Sequence, residues 1–227
     1  MFGFHIHKKD EALLQAIRNT LQGIGKITNN GKKAVQLQIS SIKDLKILIS
    51  HFDKYPLITQ KFADYLLFKQ AFNLISLKEH LTTDGLYKLV AIKSAMNKGL
   101  SPELEQAFPQ VKPNLRPTVN NINYNINPYW LAGFVSAEGC FFTHLEKVGN
   151  NEIKPNSRID KVRIRFKISQ HYRDAELLKS LIKYFYCGYY YPRSNQNVWD
   201  FVVTKFSDVN EKILPFFAKY PVEVLRI

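Results

Sequence analysis

The sequence predicts an α+β fold in which one pattern of helices and strands is used twice. Three observations point there. Apolar residues recur at helical spacing in the first half, short alternating stretches separate those helices, and the same ordered set of residues returns about 164 positions later.

The first helix is expected after Asp10, where Leu13, Leu14, Ile17 and Leu21 share one face, and the second after Ser41, with Leu45, Leu48, Ile49 and Phe52. Asp10 and Ser41 are the residue types that cap helix N-termini. Longer helices are expected over 59–81 and 83–97. Between the first two helices, Val35 to Ser40 alternates apolar and polar, the signature of a half-buried strand. Residues 107–127 carry Pro109, Pro113 and Pro117, then Asn120, Asn121, Asn123, Asn125 and Asn127, with no apolar period. They read as a linker between halves 1–106 and 128–227.

The duplication is specific in order and spacing. Phe2, Phe4, His7, Asp10, Leu13 and Leu14 correspond to Phe166, Ile168, His171, Asp174, Leu177 and Leu178 at a constant offset of 164. Phe52 and the Lys54-Tyr55-Pro56 triplet correspond to Phe217 and Lys219-Tyr220-Pro221 at an offset of 165.

Composition narrows the function class. The chain has 227 residues, 45% of them hydrophobic, enough to bury a core. Lys and Arg number 32 against 19 acids, a net charge of +13 with a pI near 9.6, which suits a polyanionic partner. Nucleic acid leads, and an anionic membrane surface competes. No basic amphipathic helix and no apolar run of about 18 residues supports a membrane partner. Cys140 and Cys187 are too few for a disulfide framework or a thiolate zinc site, so a reducing compartment is expected. The abundance of Lys over Arg, with many Asn, Ile, Phe and Tyr residues, is the composition of an AT-rich genome and points to an organelle, the mitochondrion.

Residues 127–142 carry the chemistry. Asn127 can cap and Pro128 suits the first helical position, so a helix is expected to run to about Glu138. Ala132, Gly133, Ser136 and Ala137 form a stripe of small groups that lets another helix backbone approach closely. Gly139 then opens an alternating run, Cys140 to Glu146. Trp130 to Gly139, reading Trp-Leu-Ala-Gly-Phe-Val-Ser-Ala-Glu-Gly, resembles the motif that names the LAGLIDADG homing endonucleases. Phe201 to Asp208 and the repeated Lys-Tyr-Pro are similar to the two-motif, single-chain branch of that family.

The resemblance implies two antiparallel sheets forming a DNA-binding saddle, helices packed behind, and a motif helix from each half bringing one carboxylate to the saddle floor. It makes Glu138 one of those acids, a ligand of a hard divalent cation, Mg²⁺, for metal-dependent cleavage of both DNA strands. It also assigns Gln170 to ordering active-site water, and Lys205 to polarising the scissile phosphate or perturbing the water.

The clearest strand is residues 162–169, where Val162, Ile164, Phe166 and Ile168 alternate with Arg163, Arg165, Lys167 and Ser169. One face is core and the other cationic, suited to base edges and phosphates in a major groove. Alternation adds Cys140, Phe142, His144 and Glu146 from the preceding strand and Tyr189, Tyr191 and Arg193 from a later one. In the first half, Gln36, Gln38 and Ser40 are candidates, with His5 and His7 beside them. A metal site at His5 and His7 lacks a third ligand nearby.

At the offset of 164, the partner of Glu138 falls upstream of Met1, and the helix that follows Pro56 would follow Pro221 beyond Ile227. The sequence is therefore expected to be an internal portion of a two-motif enzyme. Two functions compete: a site-specific homing endonuclease making double-strand breaks for intron mobility, and a maturase or nucleic-acid-binding remnant that assists splicing of a group I intron RNA. The uncovered small-residue stripe offers a seam for self-association through the motif helix, and where the first-half segments obstruct that pairing the chain by itself is expected to bind DNA without making a double-strand break.

Overall fold

The computed structural model describes residues 1–119, 125–146 and 161–222. The chain divides into two compact units, Met1–Ile122 and Asn123–Ile227.

Unit 1 contains β1 (Phe2–His7), α1 (Glu11–Thr20), β2 (Lys26–Asn30), β3 (Ala34–Ile39), α2 (Ile42–Lys54), α3 (Lys61–Ser76), α4 (Thr83–Ser94) and α5 (Pro102–Ala107). Its antiparallel sheet has the order β1-β3-β2. Val35, Leu37 and Ile39 on one face of β3 join Leu14, Leu21, Leu45 and Leu48 in the core. The expected amphipathic spacing is thus the packing face of α1 and α2. Ser41 caps α2, its Oγ accepting from the Asp44 N–H at 3.0 Å. Asp10 makes no side-chain cap. A 3₁₀ turn, Lys8–Asp10, precedes α1, and His7 caps that turn by accepting from the Lys9 N–H at 3.1 Å.

The helix expected over 59–81 stops at Ser76, because Lys78 adopts a left-handed backbone (φ 59°) that a right-handed helix cannot continue. The next helix opens at Thr82, whose Oγ1 accepts from the Gly85 N–H at 3.0 Å, and ends at Ser94. The stretch expected to be a linker is irregular from Phe108 to Val119 and is held against unit 1. Asn114 N donates to Ala91 O at 3.0 Å, and Arg116 Nη1 reaches Asp64 Oδ1 at 2.8 Å and Ala95 O at 3.0 Å. Asn120, Asn121 and Asn123 lie outside the described residues.

Unit 2 contains α6 (Pro128–Glu138), β4 (Gly139–Glu146), β5 (Lys161–His171), α7 (Ala175–Phe185), β6 (Tyr189–Pro192), β7 (Val198–Val203), α8 (Phe206–Asp208), a π turn (Val209–Ile213) and α9 (Leu214–Lys219). The antiparallel order is β4-β5-β7-β6, so β5-β7-β6 repeats β1-β3-β2. Phe166, Ile168, Phe201 and Val203 pack beneath Leu177, Leu178, Leu181 and Phe185 of α7. Gly25 and Gly188, each just before the equivalent strand, both have φ near +80°. A Cβ there would meet Gln38 O at 2.8 Å or Phe201 Cε2 at 2.7 Å.

The change of offset from 164 to 165 has a structural location. Ile39 and Val203 end equivalent strands at 164, whereas Phe52 and Phe217 match at 165, so one extra residue lies between Val203 and Phe217. The π turn Val209–Ile213 absorbs it, since a π turn takes one residue more than an α turn. Pro215, which has no N–H to donate into the preceding turn, sits just beyond it. The equivalent α2 carries Ser50 there and is regular.

Candidate nucleic-acid interface

The motif helix begins as its sequence dictates. Asn127 Oδ1 accepts from the Tyr129 N–H at 2.9 Å and the Trp130 N–H at 3.4 Å, with Pro128 in the first turn. Leu131, Ala132, Val135 and Ser136 are buried, whereas Gly133, Ala137 and Glu138 are exposed. The small stripe is therefore split. Ser136 Oγ returns to Ala132 O at 2.8 Å on the buried side, and a Cβ on Gly133 would touch nothing within 4 Å.

Glu138 occupies the last helical position. A carboxylate at the negative end of a helix dipole is electrostatically uncomfortable, and a bound cation relieves it. Its hard oxygen donors suit Mg²⁺ or Ca²⁺ chemically. Among the described residues no group of three or more His, Cys, Asp or Glu gathers to complete a metal cage. Mg²⁺ commonly completes its shell with water and phosphate oxygens, so a single carboxylate such as Glu138 can be one of its protein ligands.

β4 leaves this helix directly and pairs with β5, Cys140 opposite Lys167, Phe142 opposite Arg165 and His144 opposite Arg163. β7 adds Asp200 opposite Ser169, and β6 adds Tyr189 opposite Val202 and Tyr191 opposite Asp200. Because side chains alternate along each strand, Cys140, Phe142, His144, Arg163, Arg165, Lys167, Ser169, Tyr189 and Tyr191 share the face opposite the buried Phe166 and Ile168. Lys167 Nζ lies 5.6 Å from the Phe142 ring centroid, and the Tyr189 and Tyr191 rings stack at 5.8 Å. Arg193 follows β6 and turns back onto this face, where its guanidinium meets Asp200 and Ser169.

Gln170 and Lys205 are positioned differently from these. Gln170 alternates onto the side of Ile168 and Phe166, at the end of β5 near Glu138, since Gly139 pairs with Ile168. Lys205 lies beyond Val203, which pairs with Phe166, so the chain there runs along β5 away from Glu138. The register brings Gln170, but not Lys205, to the Glu138 end of the sheet.

In unit 1, His5 pairs with Gln36, Gly3 with Gln38, and Thr28 and Lys26 flank the same two glutamines. Gln36 Nε2 donates to Thr28 Oγ1 at 3.1 Å, the Asn30 amide meets His5 Nδ1 at 2.8 Å, and Gln38 contacts the Met1 sulfur. Ser40 is exposed just past β3. His7 lies on the same face but uses Nδ1 for its cap.

Sequence reading missed Asp200 and His171 on this face. His171 repeats His7, its Nδ1 accepting from the Arg173 N–H at 3.3 Å. Asp200 is buried. Burial alone would raise its carboxyl pKa, but hydrogen bonds from Arg193 and Ser169 outweigh that and hold it below the usual carboxylate value. An acid between Trp199 and Phe201 in an otherwise apolar strand was the available signal.

The profile of the LAGLIDADG endonuclease family matches residues 1–72 and 131–225, and the chain belongs to that family. It is 39% identical over 228 residues to probable intron-encoded endonuclease 3 of Neurospora crassa, covering 100% of this chain and 42% of that protein. It is similar to the crystal structure of the I-SmaMI LAGLIDADG homing endonuclease bound to cleaved DNA, with a TM-score of 0.89 and 42% identity over 97% of this chain and 72% of that one. I-SmaMI has also been solved bound to its uncleaved target in the presence of calcium ions. The I-GzeII complex with its DNA target matches with a TM-score of 0.88 and 37% identity over 98% of this chain and 74% of that one. The chain spans about half the length of the curated relatives it matches. No helix among the described residues is long and apolar enough to cross a membrane.

Proposed function

We propose that this chain is the DNA-binding and cleaving part of a site-specific homing endonuclease serving intron mobility, with double-stranded DNA as its partner and Mg²⁺ as its cation. The observation that carries the reading is the one-sided second sheet. Arg163, Arg165 and Lys167 stand with Phe142, Tyr189 and Tyr191 on the face away from the core, and β4 of that sheet begins where the helix bearing Glu138 ends. The polar face with Gln36 and Gln38 in unit 1 is the matching surface for another stretch of duplex.

In this reading Glu138 holds the cation, Gln170 orders water at the Glu138 end of the sheet, and Lys205 contributes positive charge farther along the backbone. The bound ion supplies Lewis-acid polarisation of the phosphate and a lowered pKa for the attacking water. Gly133 and Ala137, facing outward, leave room for a second motif helix, from a longer polypeptide or a second copy. The mitochondrion is the proposed compartment, supported by the Lys- and Asn-rich composition.

The test is incubation of the purified protein with Mg²⁺ and a duplex carrying the uninterrupted insertion site. Site-specific strand scission that EDTA abolishes is expected, and EDTA-insensitive cleavage or no duplex binding would overturn the reading. A maturase that assists splicing of a group I intron RNA is the second reading, since the cationic face of β5 suits RNA phosphates as well as DNA phosphates. Preference for folded group I intron RNA over the duplex in direct competition would select it.

A further inference from the structure

Asp200 is a carboxylate on the face that the rest of the sheet makes cationic, and its side chain is 3% exposed. Both oxygens are occupied. Arg193 Nε donates to Oδ2 at 2.7 Å, Arg193 Nη2 to Oδ1 at 2.8 Å, and Ser169 Oγ to Oδ1 at 2.6 Å. Arg193 Nη2 also donates to Ser169 Oγ at 2.8 Å. A guanidinium has five N–H groups, and this arrangement uses the one on Nε and both on Nη2. The two that remain are both on Nη1. No described residue accepts them, and the Arg193 side chain is 33% exposed.

Resting on the reading that this face binds DNA, we propose that Asp200 is a specificity-determining positioning residue that holds Arg193 so that a single nitrogen, Nη1, faces the nucleic acid. Two-pronged recognition of guanine O6 and N7 uses N–H groups from two guanidinium nitrogens. Arg193 has only one nitrogen left, so it offers a short-range donor to one acceptor and discriminates weakly among base pairs. Asp200 also cancels its charge, so the pair releases no counterion on binding. Arg163, Arg165 and Lys167, on the neighbouring part of the face, then carry the salt dependence.

The repeat supports this assignment independently. Gln36 pairs with His5 in the first sheet as Asp200 pairs with Ser169 in the second. There too the side chains tie the strands to one another, Gln36 to Thr28 and Asn30 to His5. Both halves use this position for a cross-strand tie, and only the second builds it from opposite charges.

The experiment compares the wild-type chain, Asp200→Asn, and the double variant Arg193→Ala/Asp200→Ala, each checked by circular dichroism. Binding to a mixed-sequence duplex is measured across salt concentrations, and preferred sites are selected from a pool of randomised duplexes. Asp200→Asn is expected to steepen the slope of log K against log salt by about one and to add a guanine preference at one position. The double variant should keep the wild-type slope. A wild-type slope and unchanged sites in folded Asp200→Asn would overturn the inference alone, as would a double variant whose slope is shallower by about one. Should Asp200→Asn not fold, the double variant decides. A wild-type chain that does not bind duplex removes the parent reading and this inference together.

Discussion

A Cβ on Gly139 would stand 2.7 Å from the carbonyl oxygen of Val135, so the turn from motif helix to first strand has no room for a side chain. That oxygen already accepts the Gly139 N–H at the helix C-cap. Gly139→Ala is expected to push the turn apart at a cost of about 1–3 kcal/mol, the usual range for overpacking. Chemical denaturation should show a lower midpoint with unchanged m-value. Because Glu138 immediately precedes the turn, cleavage should fall further than stability accounts for. A variant as stable and active as wild type would contradict this.

Glu138→Gln keeps the shape of the side chain and removes the charge that would hold the cation. Metal-dependent cleavage is expected to fall below detection, with duplex affinity changed less than about threefold. Gel-shift and cleavage assays on one preparation separate the two effects.

Arg165→Ala and Lys167→Ala act on the cationic face of β5. If Arg165 reads a guanine, its loss should cost about 1–3 kcal/mol and relax preference at one base pair. Lys167, pairing with phosphate, should lower affinity evenly across sequences and reduce the salt slope by about one. Filter binding at several salt concentrations distinguishes them, and identical behaviour of the two variants would refute the division of roles.

The Asp200 carboxyl has a pKa below its ordinary value of 3.8 because hydrogen bonds from Arg193 and Ser169 outweigh the opposing effect of burial. The sign follows from linkage. A group whose pKa is depressed on folding contributes stability above its unfolded pKa and loses it as pH falls through the folded value. Asp200→Asn should therefore melt below wild type at neutral pH, and the gap should close below about pH 4. A gap that stays constant down to pH 2 would show that the charge of Asp200 does not stabilise the fold.

What the sequence determined by itself was carried by local period. Alternation along residues 162–169 put Arg163, Arg165 and Lys167 opposite Phe166 and Ile168, because a strand's side chains alternate regardless of its neighbours. Apolar spacing located α1 and α2, the Asn127-Pro128 start and Glu138 marked the ends of the motif helix, and the shift in repeat offset recorded an inserted residue. Where that residue went was decided by tertiary packing: Val209 and Ile213 are both buried, and the π turn satisfies both positions. The same holds for the side of β5 that Gln170 takes, the distance of Lys205 from the Glu138 end, and the clasp of Arg193 on Asp200. Each depends on which strand lies beside which and in what register. Hydrogen bonds and ion pairs across a sheet join residues whose proximity exists only once the sheet has formed, so no local pattern in the chain announces them.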